Sequence, residues 1–334
     1  MTTPLYDVTA IGNAIVDVLA PTTEKFIKSQ DKAHGMKKGG MMLIDEARAV
    51  SLYGDMEGGV EMPGGSAGNT IAGLASFGGR ANYIGKVAQD RLGEVFRNEM
   101  QSQKVRFDTT PLIVGASTAR CLILVTPDGE RTMNTFLGAA VELGPDDIDR
   151  DLIASSKVTY LEGYLFDPQQ AKQAFIVAAE TAHENGHRVS LSLSDPFCVD
   201  RHREDFVNLV ENHVDILFAN EDEIKSLYQV KTFEEALAIV KNKCEIAVLT
   251  RSAKGSVIVS KDQVIEVPAV PTTVVDTTGA GDQYAAGFLY GFTQGMDLKT
   301  SGHLGALAAA EVISHMGPRP EIAYSTLIEQ AKAA

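Results

Sequence analysis

Val274-Val275-Asp276-Thr277-Thr278-Gly279-Ala280-Gly281-Asp282 is the stretch from which the fold can be read. The two valines before Asp276 read as the end of a strand, and Tyr284, Phe288, Leu289 and Phe292 then recur at helical spacing. A Gly-Ala-Gly turn opening a helix leaves several backbone N–H groups without intrahelical partners. Small residues let an anion approach those groups, and the helix dipole adds about half a positive charge at that end. Asp282 falls in the first helical turn, where a carboxylate is also well tolerated with no chemical duty. Taken alone, the stretch leaves both readings open.

Two other phosphate motifs fail. A P-loop needs Gly, four residues, then Gly-Lys-Ser/Thr, whereas Gly85-Lys86 has Arg80 at the first position and Val87 at the last. A dinucleotide fingerprint needs a third glycine where Tyr284 stands.

Outward from this corner, apolar strand-like runs alternate with amphipathic stretches. Val8-Thr9-Ala10-Ile11, Ala81-Asn82-Tyr83-Ile84-Gly85, Val158-Thr159-Tyr160-Leu161, Val189-Ser190-Leu191-Ser192-Leu193, Ile216-Leu217-Phe218-Ala219 and Ile246-Ala247-Val248-Leu249-Thr250 read as strands. Helical patterns cover 66–77, 168–185 and 233–241. The alternation predicts an α/β fold with a doubly wound, mostly parallel sheet. Two regions, 19–44 and 112–137, break the rhythm without a good helix between their β-rich pieces. In the second, 119–126 and 131–137 flank Pro127-Asp128-Gly129-Glu130, a hairpin signature. These two inserts are expected to form one small discontinuous β-lid, with 1–18, 45–111 and 138–334 forming the large domain; ordinary surface excursions are the alternative.

Composition narrows the function. The 334 residues are 44% hydrophobic and 22% charged, those of a globular protein. A formal charge of −14 argues against a nucleic-acid-binding face but not against a small anionic substrate held by a few amides and cations. Cys121, Cys198 and Cys244 are scattered and odd in number, as expected of free thiols in a reducing cytoplasm. The start, Met1-Thr2-Thr3-Pro4-Leu5-Tyr6-Asp7, has no basic leader, and no apolar run is long enough to predict a membrane span.

The run Asp276-Thr277-Thr278-Gly279-Ala280-Gly281-Asp282 continuing to Gly287-Phe288 resembles the C-terminal signature of the ribokinase-like (PfkB) carbohydrate and nucleoside kinases. Pro63-Gly64-Gly65-Ser66-Ala67-Gly68-Asn69 resembles the N-terminal signature, and Asn220-Glu221-Asp222-Glu223 the Asn-x-x-Glu element, in the same order along the chain. The resemblance implies ATP-dependent phosphorylation of a hydroxyl compound, with Asp282 as general base. Gly279, Ala280 and Gly281 would form the anion hole. Asn220 and Glu223 would organise Mg²⁺ through water, Thr250 and Gly255 would lie at the nucleotide, and Arg131 of the lid would face phosphate. Asp276 and Thr278 would help form a K⁺ site. Without the resemblance, Asn220 and Glu223 read equally as a helix cap and a first-turn acid, and Arg131 as a solvated arginine.

Gly12-Asn13-Ala14-Ile15-Val16-Asp17 is more similar to the adenosine-kinase branch of that family than to its free-sugar kinases. This implies an acceptor ribose at Asn13, Asp17, Gly64, Gly65 and Asn69, with Ile15, Leu137 and Tyr164 beside the base. Ser192-Leu193-Ser194-Asp195-Pro196-Phe197 and Gly302-His303 lean the same way, although Asp195 departs from that branch's usual residue. The alternatives are a kinase for ribose, fructose or a ketodeoxy sugar acid, and a catalytically silent nucleoside-binding protein. Partners are expected to be small molecules, without nucleic acid or membrane, in a monomer or homodimer.

Overall fold

The computed structural model describes residues 4–56, 58–261 and 263–332. Residues 1–3 and 333–334 lie outside them. The strands, in chain order, are β1 (Tyr6–Ile11), β2 (Ile15–Pro21), β3 (Met41–Leu43), β4 (Val60–Pro63), β5 (Ala81–Ile84), β6 (Val105–Arg106), β7 (Ala119–Val125), β8 (Arg131–Phe136), β9 (Ser156–Glu162), β10 (Arg188–Ser192), β11 (Ile216–Asn220), β12 (Ile246–Thr250), β13 (Ser256–Ser260) and β14 (Gln263–Val267).

Nine strands form one sheet in the order β14-β13-β12-β11-β10-β9-β1-β5-β6. It is parallel from β12 to β6 and antiparallel at β13 and β14. Successive side chains of a strand point to opposite faces, so an apolar run can feed two cores. Ile216, Phe218, Ile246 and Val248 enter the core shared with Ile71, Ala285, Phe288 and Leu289. Leu217, Ala219, Ala247 and Leu249 enter the one shared with Phe175, Ala178, Phe206 and Leu209. That two-sided burial is why these strands read as unbroken apolar stretches, and it is what the alternation predicted.

The second sheet has the order β3-β8-β7-β2-β4. The β7–β8 hairpin pairs antiparallel across the Asp-Gly turn, from Arg120 opposite Phe136 to Val125 opposite Arg131. Val16, Val18, Leu122 and Leu124 pack inward with Ile27, Met36 and Leu52, while Ile15, Cys121 and Ile123 line the other face. Asp17 shares the second face by alternation, opposite Cys121.

Three details differ from the sequence-based expectation. The second sheet starts at Ile15 and also takes in Val60–Pro63, both assigned above to the large domain, because β4 pairs antiparallel with β2. A helix, Glu24–His34, lies inside the 19–44 insert; Thr23 caps it by accepting the Phe26 N–H, and Gly35 ends it at φ 72°. With Ile27 as its buried residue, it is a mostly polar helix with few apolar positions to betray it. Finally, 274–276 is not a strand end. Val274 and Val275 are 59% and 53% exposed, and the Val275 N–H bonds to the Ile313 carbonyl beyond the end of a helix instead of joining a sheet.

Candidate active site

Gly279 stands at φ 79°, in the left-handed region, at the start of the Ala280–Thr293 helix. A Cβ there would lie 2.8 Å from the Pro318 Cα, so backbone conformation and packing both require glycine. Gly281 differs, because a Cβ at 281 would meet nothing within 4 Å. It faces open space within the first helical turn, where N–H groups lack partners in the helical ladder. The Gln283 N–H is bonded to the Gly279 carbonyl at 2.8 Å. Gly279, Ala280 and Gly281 thus make a corner able to receive an oxyanion.

The Asp282 carboxylate beside this corner is held by the Ser66–Ser76 helix. Ser66 Oγ donates to it at 2.6 Å and Asn69 Nδ2 at 3.0 Å. Burial pushes the Asp282 pKa up to about 6, against the lowering effect of those donors and of Arg319. A carboxylate near 6 is mostly ionised at pH 7 and remains an effective proton acceptor. Gln283 locks the corner from behind: its Nε2 donates to the carbonyls of Asn69 (3.0 Å) and Pro318 (2.9 Å).

Asp17 lies against Gly64, where a Cβ would come within 2.3 Å of its Oδ2. Burial raises its pKa to about 7, opposed by Arg319 and Arg131 and reinforced by Asp282, so the two aspartates feel each other's charge. Gly65, at φ 80°, approaches the Asn13 carbonyl so closely that a Cβ would sit 2.5 Å away. Asn13 itself is buried, and its amide donates inward to Glu162 Oε1 at 2.7 Å. One of its two amide N–H groups therefore serves the scaffold. Glu162 also accepts the N–H groups of Asn13 (3.3 Å) and Ala67 (2.7 Å), bolting the Asn13 turn to the Ser66–Ser76 helix. Burial pushes its pKa to about 7. Ile15 is buried with Ala119, Cys121, Ile123 and Ala140. Leu137 is half-buried at the start of the Gly138–Glu142 turn, and Tyr164 is 39% exposed, its N–H on Ser194 Oγ at 3.1 Å.

At the other end of the sheet, Asn220 and Thr250 are register partners at the C-terminal ends of adjacent parallel strands. Asn220 caps the Glu221–Tyr228 helix, and Glu223 accepts its backbone N–H at 2.9 Å and its Nδ2 at 2.5 Å, a complete capping box. Burial raises the Glu223 pKa to about 7. Each carboxylate oxygen keeps a second lone-pair direction, so the pair suits a hydrated Mg²⁺ held through water and not a direct cage. Among the described residues no group of three or more His, Cys, Asp or Glu could hold a metal. Gly255, at φ 83°, lies where a Cβ would strike the Val267 carbonyl at 2.1 Å, so its glycine is explained by the β13–β14 hairpin.

Arg131 joins the second sheet to the glycine corner. Its guanidinium pairs with Asp276 Oδ2 at 2.8 Å and donates to Thr278 Oγ1 at 3.3 Å. Asp276 also accepts the N–H groups of Thr278 (3.1 Å) and Gly317 (2.9 Å). Burial would raise its pKa, but those hydrogen bonds and Arg131 outweigh it and hold the carboxyl below the usual range. In this arrangement the Arg131 guanidinium stands at the Asp276 and Thr278 oxygens where a K⁺ was expected.

Ser66, Glu162, Gln283 and Arg319 belong to the site and were not singled out in the sequence. Ser66 and Gln283 adjoin motif residues and could have been suspected. Glu162 and Arg319 carry no local signal, since each acts on elements far away in the chain.

A family model described as pfkB family carbohydrate kinase matches residues 43–323. Adenosine kinase from Saccharomyces cerevisiae is 29% identical over 351 residues, covering 97% of this chain and 100% of the yeast protein. The crystal structure of adenosine kinase from Sinorhizobium meliloti is 50% identical with a TM-score of 0.88, covering 98% of this chain and 99% of that one. That of a probable sugar kinase protein from Rhizobium etli is 47% identical with a TM-score of 0.90, covering 99% and 100%. Among the described residues no helix is long and apolar enough to cross a membrane.

Proposed function

The chain belongs to the ribokinase-like pfkB carbohydrate kinase family, and within it we propose that this enzyme transfers the γ-phosphoryl group of ATP to the 5′-hydroxyl of adenosine. It is a phosphotransferase acting on an alcohol group. The site's pairing of carboxylates suits the ribose of adenosine, as it would a free sugar: Asp17, laid on Gly64, lies within electrostatic reach of Asp282 at the glycine corner. Asp17 has lone pairs to accept from ribose hydroxyls, while Asp282 accepts the proton of the attacking one. The 50% identity to a protein named adenosine kinase supports the same acceptor.

In the reaction a bond forms between the 5′-oxygen and the γ-phosphorus, the bond to the β,γ-bridging oxygen breaks, and the hydroxyl proton passes to Asp282. Gly279–Gly281 would take the charge on the equatorial oxygens, so the chain contributes positioning and electrostatic stabilisation. Arg131 would exchange Asp276 for phosphate as the small β-lid closes and excludes water. Asn220 and Glu223 would hold Mg²⁺ through water, and the ion would supply charge neutralisation on the nucleotide phosphates. Thr250 would contact phosphate beside Asn220, and Ile15, Leu137 and Tyr164 would flank the adenine.

A free-sugar acceptor is the second reading, favoured by the 47% identity to a protein named as a probable sugar kinase. ADP release with Mg-ATP across adenosine, other nucleosides, ribose, fructose and ketodeoxygluconate decides between them. Turnover of a free sugar far above adenosine would overturn the acceptor assignment.

A further inference from the structure

Arg319 is the cation whose placement remains unexplained. Its Nε donates to Asn69 Oδ1 at 3.0 Å, Nη1 to Gln103 Oε1 at 2.7 Å and Nη2 to the Pro63 carbonyl at 2.9 Å. All three acceptors are neutral. Three carboxylates feel its charge, and beside Glu99 these are Asp17 and Asp282, the ones the reaction would use.

The hydrogen-bond directions matter. An arginine can only donate, so the atom of the Asn69 amide facing it must be the oxygen. The NH₂ group of Asn69 is thereby turned onto Asp282. An ionised carboxylate can only accept, so the chain Arg319 to Asn69 to Asp282 closes in one sense alone. Without the arginine, only the ionised carboxylate would hold the Asn69 amide in this sense, and once Asp282 is protonated a flipped amide could present its oxygen to it. The Pro63 bond also fixes the end of β4, next to the Gly64 on which Asp17 lies.

We propose that Arg319 is a positioning residue for phosphoryl transfer: through Asn69 it holds a donor on Asp282, and it supplies a buried positive charge to Asp17 and Asp282 together. This rests on Asp282 being the base. Burial lowers the Arg319 pKa to about 10, which still leaves it charged at neutral pH. The groups around Asp282 are Ser66 and Asn69 on its neighbouring helix, Tyr160 and Glu162 on β9, Tyr164 just after it, Asp17 on β2, and Arg319. Arg319 is the cation among them, so its removal raises the pH at which Asp282 ionises.

The test is steady-state kinetics with Mg-ATP and adenosine for R319M, R319K, N69A and the R319M/N69A double variant, with melting curves for each. R319M is expected to melt cooperatively, lose about tenfold or more in kcat, and move the acid limb of kcat to higher pH. R319K keeps the charge and not the fork, so its limb should stay in place while kcat falls. On the high-pH plateau, where Asp282 is ionised in every variant, the double variant should lose no more kcat than N69A, because there both act on Asp282 through one amide. A tertiary clamp would instead lower the melting temperature and leave the limb where it is. An unmoved limb in R319M, wild-type kcat in R319K, or losses that multiply in the double variant would overturn the proposal. If R319M does not fold, R319K and N69A decide. If adenosine is not the acceptor, the same comparison runs on whichever acceptor turns over. D282N in parallel reports separately on the base.

Discussion

Asp282→Asn should make the protein more stable and almost inactive, and the two effects should part company with pH. The Asp282 pKa is raised from 3.8 to about 6, so the folded state favours the protonated form. Its contribution to stability is present below the unfolded value near 4 and is lost as pH rises through about 6. At pH 8 the shift of roughly 2 units corresponds to a ceiling of about 3 kcal/mol. Solvent on the open side of the half-buried carboxylate screens this, leaving about 1–2 kcal/mol. Asparagine is nearly isosteric: its oxygen can accept from Asn69, and its NH₂ can donate to a rotated Ser66 hydroxyl. Removing the charge should therefore raise Tm by about 2–3 °C at pH 8 for a chain of this length. At pH 5 the carboxyl is already largely protonated, and the gain should fall to about half. Turnover should drop by about 10²- to 10⁴-fold, the usual worth of a general base. Melting curves at both pH values, with an ADP-release assay, measure all of this. A D282N protein melting at or below wild type at pH 8 would refute the burial reasoning, and wild-type turnover would refute the base assignment.

Gly64→Ala places a Cβ 2.3 Å from Asp17 and should displace that carboxylate, raising KM for adenosine about tenfold or more with little change in Tm; kinetics beside melting checks the split. Glu162→Ala removes the acceptor for the N–H groups of Asn13 and Ala67 and for the Asn13 amide, leaving three buried donors unpaired. It should cost about 3 kcal/mol or more, seen as a Tm lower by about 4 °C, whereas an unchanged Tm would mean that water replaces the carboxylate. Arg131→Met should raise KM for ATP and lower kcat while leaving the fold intact, since its partners Asp276 and Thr278 keep hydrogen bonds of their own. Chelating divalent cations should stop turnover, and Glu223→Gln should raise the Mg²⁺ concentration needed to restore it; restoration at the wild-type concentration would remove Glu223 from the metal's surroundings.

The sheet was legible because its strands are buried on both faces, and a strand feeding two cores leaves an unbroken apolar run. The β7–β8 hairpin was legible because Asp-Gly is a turn that the local chain specifies. The glycine corner could be read as a phosphate site because the requirement for glycine is local: Gly279 needs a left-handed φ, and the helix after it shows its period. The Val274–Asp276 misreading has the same root, since two valines look like a strand wherever they stand. Whether they pair depends on a neighbouring edge that local sequence does not report.

Asp282 could be named from its chain neighbours alone, because a first-turn carboxylate after Gly-Ala-Gly is a local fact. What sets its chemistry is not local. Ser66 and Asn69 reach it from more than 200 positions away, and Arg319 reaches Asn69 from 250. Glu162 ties the Asn13 turn to Ala67 across 149 and 95 positions. Burial and hydrogen-bond direction are properties of the packed molecule, since each depends on what the other elements bring to the same few ångströms. The sequence by itself therefore determined the layered fold and the aspartate. Tertiary structure alone decided the burial that raises its pKa, the neighbours that donate to it, and the placing of Asp17 within reach of its charge.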